Sequence, residues 1–337
     1  MQIRHLKVRP VWAASGVLGF FGTDRYWYQK IGLWFGMWFI WLTFVSKTST
    51  FLPREGNMPL KEGTVTPKEL FPRCIVVKWW KRAILNAVGL SGRGLEWLLH
   101  QFLWQKRTKD FFISIMSVAP TIEGKCEETG KCMHAIMNRL DQFRARIGGQ
   151  LNVSCPNVDL KTGNIVTDTH ALLDTVHVHD PRKRIVFVVK VAPTTSAYDI
   201  AEIARHERCD GLCIGNTVSF GELPEDIDWV GIFGTADPKK SPLIERGFAQ
   251  PGGYSGKALC KIICRRIREV RKLGVKIHIN GCGGILGPIS AFRVMWAGAD
   301  SISVGSCGIL APWGVFPAIV TAHVYNFCRC VFRGIFS

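Results

Sequence analysis

The sequence contains no Cys-x-x-Cys pair, although it has twelve cysteines. The shortest spacings are Cys328/Cys330, two apart, and Cys209/Cys213 and Cys260/Cys264, four apart. Without paired knuckles at ligand spacing, neither a structural zinc nor an iron–sulfur site is expected. No secretory signal is evident ahead of the first apolar segment, so reduced thiols in a cytoplasmic protein are expected. Long hydrophobic runs are also missing. The most extended, Ile31 to Val45, covers fifteen residues, short of the roughly 20 that a helix needs to span a bilayer. A buried helix followed by a strand is expected there, while the aromatic residues from Trp27 to Trp41 leave a peripheral membrane contact open. Acidic residues are scarce, 26 against 43 Lys and Arg, for a net charge of +17. That balance favours an anionic partner: a phosphate-bearing cofactor, a carboxylate substrate, nucleic acid or a lipid surface.

What is present points to one large core. At 337 residues and 47% hydrophobic content, a single domain over 1–337 is expected, with an aromatic-rich insertion near 20–41. Short β-branched runs recur near Val11–Ser15, Leu42–Lys47, Phe111–Ile115, Gln150–Ser154, Ile185–Lys190, Gly211–Gly215, Val275–Asn280 and Ser301–Val304. Helical patterns follow the later ones, at His134–Ile147, Thr169–Val176, Ser196–Arg208, Lys257–Leu273, Ile289–Ala297 and Pro317–Phe327. Eight such units predict an α/β fold, a (β/α)8 TIM barrel. The proline-bearing stretch 51–105 is too long for a simple loop and predicts extra strands and loops over the C-terminal mouth. On 257–273, Lys257, Lys261, Arg265, Arg268 and Lys272 share one face, the pattern of a solvated outer helix. Arg266 breaks the apolar face opposite. The His177–Asp180 run, HVHD, ends a predicted helix away from the strand ends and is not expected to bind metal.

In such a barrel, working residues gather at the C-terminal strand ends. Asn280-Gly281-Cys282-Gly283-Gly284-Ile285 ends the seventh strand and Val304-Gly305-Ser306 the eighth, while Gly252-Gly253-Tyr254-Ser255-Gly256 precedes a helix. Three glycine-rich loops in these places predict a phosphorylated cofactor, because glycine lets backbone N–H groups approach phosphate oxygens. Strand four ends in Asn152-Val153-Ser154-Cys155-Pro156-Asn157. A cysteine between asparagines suits proton transfer beside amides that bind a polar heterocycle. Lys47 and Lys190 end strands two and five, where a cation needs an anion or an electron-rich ring, and a flavin supplies both.

These motifs, with Ala14-Ser15-Gly16, Ser46-Lys47-Thr48, Pro53-Arg54-Glu55-Gly56-Asn57, Asn86-Ala87-Val88-Gly89-Leu90 and Asn216-Thr217, run in the order of the dihydroorotate dehydrogenase family, which the chain resembles from about Arg9 to Ala318. The resemblance implies FMN-dependent oxidation of dihydroorotate to orotate in pyrimidine biosynthesis. It implies Cys155 as the general base for the C5 proton, with hydride passing from C6 to flavin N5. Substrate would be held by Lys47, Asn86, Gly89, Leu90, Asn152, Asn157, Asn216 and Thr217. The flavin would meet Ala14, Ser15, Lys47, Thr48, Asn152 and Lys190, with its phosphate on Gly256, Gly283, Gly284, Gly305 and Ser306.

A cysteine base resembles the soluble branch rather than the quinone-linked one, and a homodimer is expected. Fumarate, NAD through a partner subunit, and a quinone all stay open as acceptors. Dihydropyrimidine dehydrogenases have His where this chain has Asn157. The tRNA dihydrouridine synthases lack the second asparagine and carry an RNA-binding domain, so nucleic acid is not expected. A non-catalytic flavin-binding adaptor would have no use for a buried base.

Overall fold

A computed structural model describes residues 1–22, 41–154 and 164–335. The 27–40 part of the Trp-rich segment, Cys155 and Asn157 lie outside them. Seven parallel strands neighbour one another in the order Val11–Ala13, Ser301–Val304, His278–Cys282, Gly211–Ile214, Val186–Val191, Ile147–Asn152 and Phe111–Ile115. Their side chains are almost wholly buried, as strands covered by helices on one face and a barrel interior on the other must be.

The expected second strand is not regular, yet it closes the ring. Thr43 bridges Trp12 on one side, while Val45 and Ser49 bridge Phe112 and Ile115 on the other, all in parallel. Ala13 N–H donates to Thr43 O at 2.9 Å and Phe112 N–H to Phe44 O at 3.0 Å. The ladder breaks because side chains and a turn take its partners. Ser46 Oγ accepts Ser114 N–H at 2.9 Å, and Lys47 N–H donates to Gly19 O at 2.8 Å. The eight segments therefore make the (β/α)8 barrel.

The crossover after Phe111–Ile115 also departs from the expected pattern. The helix runs over Ile122–Met137, capped by Thr121 Oγ on Gly124 N–H, and not over His134–Ile147. Leu140 and Phe143 keep an apolar rhythm beyond it but pack on the core from a short 3-10 turn, Leu140–Gln142, and the chain after it. The other helices agree within a few residues at most ends, although Val315–Ile335 runs on well past Phe327.

Over the mouth lies an antiparallel sheet in the order Val218–Ser219, Gly253–Gly256, Ala83–Asn86 and Ile75–Lys78. Half of it comes from 51–105, as expected. The rest flanks the 218–251 loop, which folds on its own aromatic cluster, with Trp229 at 4.6 Å from Phe220 and 5.5 Å from Tyr254. The hairpin Gln2–Ile3/Leu6–Lys7 adds Ile3 and Leu6 to the buried cluster that fills the barrel around Trp12, Phe112 and Val188.

The structure also explains the sequence features set aside above. Lys261 and Arg265 pair with Asp226 on the outside of Leu259–Lys272. Arg266 turns out of the apolar face to donate to Pro193 O at 3.3 Å and Glu269 at 2.9 Å. Asp180, fully buried, accepts the backbone N–H groups of Arg184 and Ile185 at 2.9 Å and the Arg208 guanidinium at 3.2 Å. Its place is architectural.

His278 stacks on Trp12 at 5.5 Å, and burial lowers its pKa to about 4. A histidine depressed from an unfolded value near 6.5 takes up its proton in the unfolded chain first, so stability is lost as pH falls from about 6.5 towards 4. His278→Gln is expected to flatten the fall in melting temperature over this window, removing on the order of 3 kcal/mol of pH dependence. Parallel melting curves of the two proteins from pH 4 to 7 check this.

Candidate active site

Strand register builds a polar row across the barrel. Asn152 pairs with Lys190, Lys190 with Cys213, Cys213 with Asn280, and Asn280 with Ser301. Neighbours in a parallel ladder point to the same face, so five strands place polar side chains side by side in an otherwise apolar interior. Asn280 bonds both of its neighbours in the row. Its Oδ1 accepts Ser303 Oγ at 2.7 Å and Cys213 Sγ at 3.4 Å, and its Nδ2 donates to Ser301 Oγ at 2.8 Å. On the other side Ser15, Thr48 and Ser114 form a hydroxyl chain with 2.9 Å links that reaches Gln150.

Above this row opens a cavity of about 340 Å³. Ala14, Ser15, Lys47 and Thr48 line it from the first two barrel segments, and Asn152, Lys190, Asn216 and Thr217 from the middle strands. Gly283, Gly284, Gly305 and Ser306 line it from the last two, and Asn86, Gly89 and Leu90 from the mouth sheet and the loop after it. Every sequence-predicted site residue in the described part is thus at the cavity except Gly256. Its neighbour Ser255 lines the wall, and the Gly256 carbonyl stands 2.9 Å from where a Cβ on Gly284 would be.

Local chemistry fixes each group. Asn216 donates to Asn152 Oδ1 at 3.2 Å and to the Ser154 carbonyl, and its own Oδ1 accepts Thr217 N–H at 3.0 Å. The strand end immediately before Cys155 is therefore tied to the next polar amide. Lys47 Nζ donates to Ser91 O at 2.7 Å and lies 5.0 Å from the Phe20 ring. Lys190 is 9% exposed, and its ammonium has no carboxylate partner among the described residues. Gly284 sits at φ 66°, and a Cβ there would meet the Cys260 amide nitrogen at 2.3 Å. Only glycine lets this loop pass the start of helix Leu259–Lys272. Among the described residues, the Gly284 and Ser306 N–H groups have no backbone acceptor.

The loop 86–91 is held from outside by the Pro53–Asn57 motif. Arg54 Nε donates to Gly89 O at 2.9 Å, Asn57 N–H to Val88 O at 2.9 Å and Asn57 Nδ2 to Ala87 O at 2.7 Å. Gly56, at φ 56°, comes so close that a Cβ would stand 2.5 Å from Ser91 Oγ. Arg54, Gly56 and Asn57 position the loop and do not line the cavity.

Sequence reasoning missed Ser303 and the thiol of Cys282, both of which line the cavity. Each lies two residues along its strand from a member of the polar row. The Cys213 thiol beside it, helped by the Lys190 charge and Ser303, lowers the Cys282 pKa against the opposing effect of burial. Cys213 and Ser303 both donate to Asn280 Oδ1.

The dihydroorotate dehydrogenase family model matches residues 9–322, nearly the whole chain. The chain belongs to the dihydroorotate dehydrogenase family. Its members are oxidoreductases acting on dihydroorotate. Curated relatives include the protein named dihydroorotate dehydrogenase B (NAD(+)), catalytic subunit, of Desulforamulus reducens, 29% identical over 91% of this chain and 86% of the relative. The protein of the same name in Desulforudis audaxviator is 27% identical over 90% and 84%. In fold, the chain resembles the Eimeria tenella dihydroorotate dehydrogenase solved with ferulenol, at a TM-score of 0.64 and 17% identity over 95% of this chain and 82% of that one.

A depressed Cys282 thiol predicts that iodoacetamide modifies it in the cofactor-free protein with a pH midpoint below the ordinary thiol range. Cys213→Ala, which removes the leading cause of the depression, should move that midpoint upwards towards the ordinary thiol range of about 8.5. Peptide-level mass spectrometry of alkylation against pH reads both midpoints, and identical curves would refute the assignment.

Proposed function

We propose that this chain is the catalytic subunit of an NAD-linked dihydroorotate dehydrogenase, a single FMN-binding barrel domain that oxidises dihydroorotate to orotate for pyrimidine biosynthesis in the cytoplasm. One observation carries the reading: Lys47, Lys190, Asn86, Asn152 and Asn216 come from five separate elements and meet at one cavity whose far wall is made of glycine loops.

The residues present fit FMN. The Gly283-Gly284 and Gly305-Ser306 loops, backed by Gly256, offer N–H groups where a phosphate would lie. Lys190 offers a buried cation with no carboxylate partner among the described residues, which suits the electron-rich polar edge of an isoalloxazine. Ala14, Ser15 and Thr48 complete that wall. FMN, when bound, supplies the acceptor for the hydride that leaves C6 of the substrate.

The chain's own groups do the rest. Asn86, Asn152, Asn157 and Asn216, with Thr217 and the Gly89-Leu90 backbone, present amide donors and acceptors to the ring and carboxylate of dihydroorotate. Lys47 offsets the carboxylate charge. Cys155, directly after the Ser154 carbonyl that Asn216 holds, takes the C5 proton. The relatives named as NAD(+)-type catalytic subunits support a partner subunit that passes the electrons on to NAD. Among the described residues, no helix is long and apolar enough to cross a membrane.

Mixing the FMN-loaded protein anaerobically with dihydroorotate is expected to bleach the flavin absorbance near ~450 nm. Cys155→Ser should keep FMN bound and slow the bleaching by roughly 100-fold or more near neutral pH, because a hydroxyl ionises far less readily than a thiol and so offers far less of the anionic base. Stopped-flow rates equal to wild type would remove Cys155 from the mechanism, and a wild-type flavin that stays oxidised would remove the function.

The reading includes a homodimer. Helices Pro288–Trp296 and Val315–Ile335 pack together, as the Phe292–Tyr325 contact at 5.9 Å shows, and they share an exposed apolar face. It carries Ile289, Phe292, Trp296, Val320, Val324 and Phe327, the last 71% exposed. Aromatic side chains bring roughly 150–250 Å² each. At these partial exposures the six side chains offer on the order of 600 Å², the upper end of what monomers leave bare in one patch and much of the ~800 Å² per partner of a standard interface. Val324→Glu with Phe327→Glu should convert a dimer into a monomer, with light scattering during size exclusion as the check.

A further inference from the structure

We infer that the hairpin tip Lys78-Trp79-Trp80-Lys81-Arg82 docks on an anionic lipid surface. The turn joins Ile75–Lys78 to Ala83–Asn86 in the mouth sheet. Lys81 N–H donates to Lys78 O at 3.1 Å and Arg82 N–H to Trp79 O at 3.0 Å, and Arg82 takes a left-handed φ of 50°. A third strand braces the tip, since Gly256 pairs with Ala83 and Lys257 N–H donates to Arg82 O at 3.0 Å. Backbone hydrogen bonds and a flanking strand hold the tip, and what it presents is unusual. Trp80 is 99% exposed and Trp79 54%.

Four cations surround these rings: Lys78, Lys81, Arg82 and Lys257, all exposed, and none with a carboxylate partner among the described residues. No acidic residue occurs between Glu69 and Glu96. Two indoles inside a cationic collar match a leaflet of anionic headgroups, where tryptophan settles at the headgroup level and each lysine or arginine gains from the negative surface potential. A protein partner would need far more surface than a four-residue turn provides, because a stable interface takes roughly 800 Å² from each side. Membrane contact of this kind is peripheral and salt-sensitive. It stands apart from the chemistry proposed above, since no residue of the tip lines the cavity.

Co-sedimentation of the FMN-loaded protein with vesicles tests this. Wild type is expected to pellet with phosphatidylcholine vesicles containing ~30% phosphatidylglycerol, to bind pure phosphatidylcholine at least about 10-fold more weakly, and to be released by ~0.5 M salt. Trp79→Ser with Trp80→Ser, and separately Lys78→Glu with Lys81→Glu, should each weaken binding to the anionic vesicles by about 10-fold or more. Because these side chains are exposed, flavin content and melting temperature should stay as in wild type, which separates lost docking from lost folding. Failure of wild type to pellet with anionic vesicles overturns the inference and points the collar towards an acidic protein. Wild-type binding by both hairpin variants overturns it equally, by assigning the lipid contact to another surface.

Discussion

A cation in the wall of a closed barrel governs the organisation of this site. Lys190 belongs to a strand whose six residues are all buried, and burying an ammonium without an anion costs several kcal/mol unless its surroundings are arranged for it. The surroundings are arranged. Asn152 and Cys213 flank it by register, Asn280 ties the next two strands into the same polar row, and Ser303 and Cys282 stand one layer nearer the mouth. A half-satisfied network of this kind would weaken the barrel, whereas a nearly satisfied one makes it specific. The charge left over faces the cavity. The same row therefore keeps the interior folded and gives the cavity its positive floor.

The opposite wall follows a different logic. Loop 86–91 is not part of the barrel, so its backbone has to be shaped by something else. The Pro53–Asn57 segment does so through hydrogen bonds to the carbonyls of Ala87, Val88 and Gly89, and Gly56 permits the close approach. Positive φ at Gly89 and Leu90 is the outcome of that strapping. Strain held by neighbouring structure is common where a binding surface must be ready before its ligand arrives. Arg54 and Asn57 thus shape the cavity wall from behind.

Much of this was legible in the residues. The strand ends could be read because β-branched runs stop at glycine, asparagine or lysine, and the site residues lie at those stops. The helix after Phe111–Ile115 was misplaced because Ile136, Met137, Leu140 and Phe143 keep a helical rhythm across a break, while the true start depends on the Thr121 cap. Cys282 and Ser303 escaped for a physical reason. Strands buried on both faces show no contrast between in and out, so sequence does not reveal which alternate positions look into the cavity. The apolar face on the last two helices was equally hidden, since an exposed stripe and a buried stripe have the same spacing.

The irregular second segment shows how closure and function compete for one stretch of chain. Residues 43–46 bond to Val11, Ala13 and Phe112 and seal the barrel. A regular strand would continue the ladder through Lys47. The Lys47 N–H instead bonds to Gly19, which carries the side chain over Phe20 to the Ser91 carbonyl. Thr48 then turns inward to join Ser15 and Ser114, and Ser49 resumes pairing with the neighbouring strand. Two ladder bonds are exchanged for a cation and a hydroxyl at the cavity. Closure tolerates the loss because parallel neighbours hold the segment on both sides.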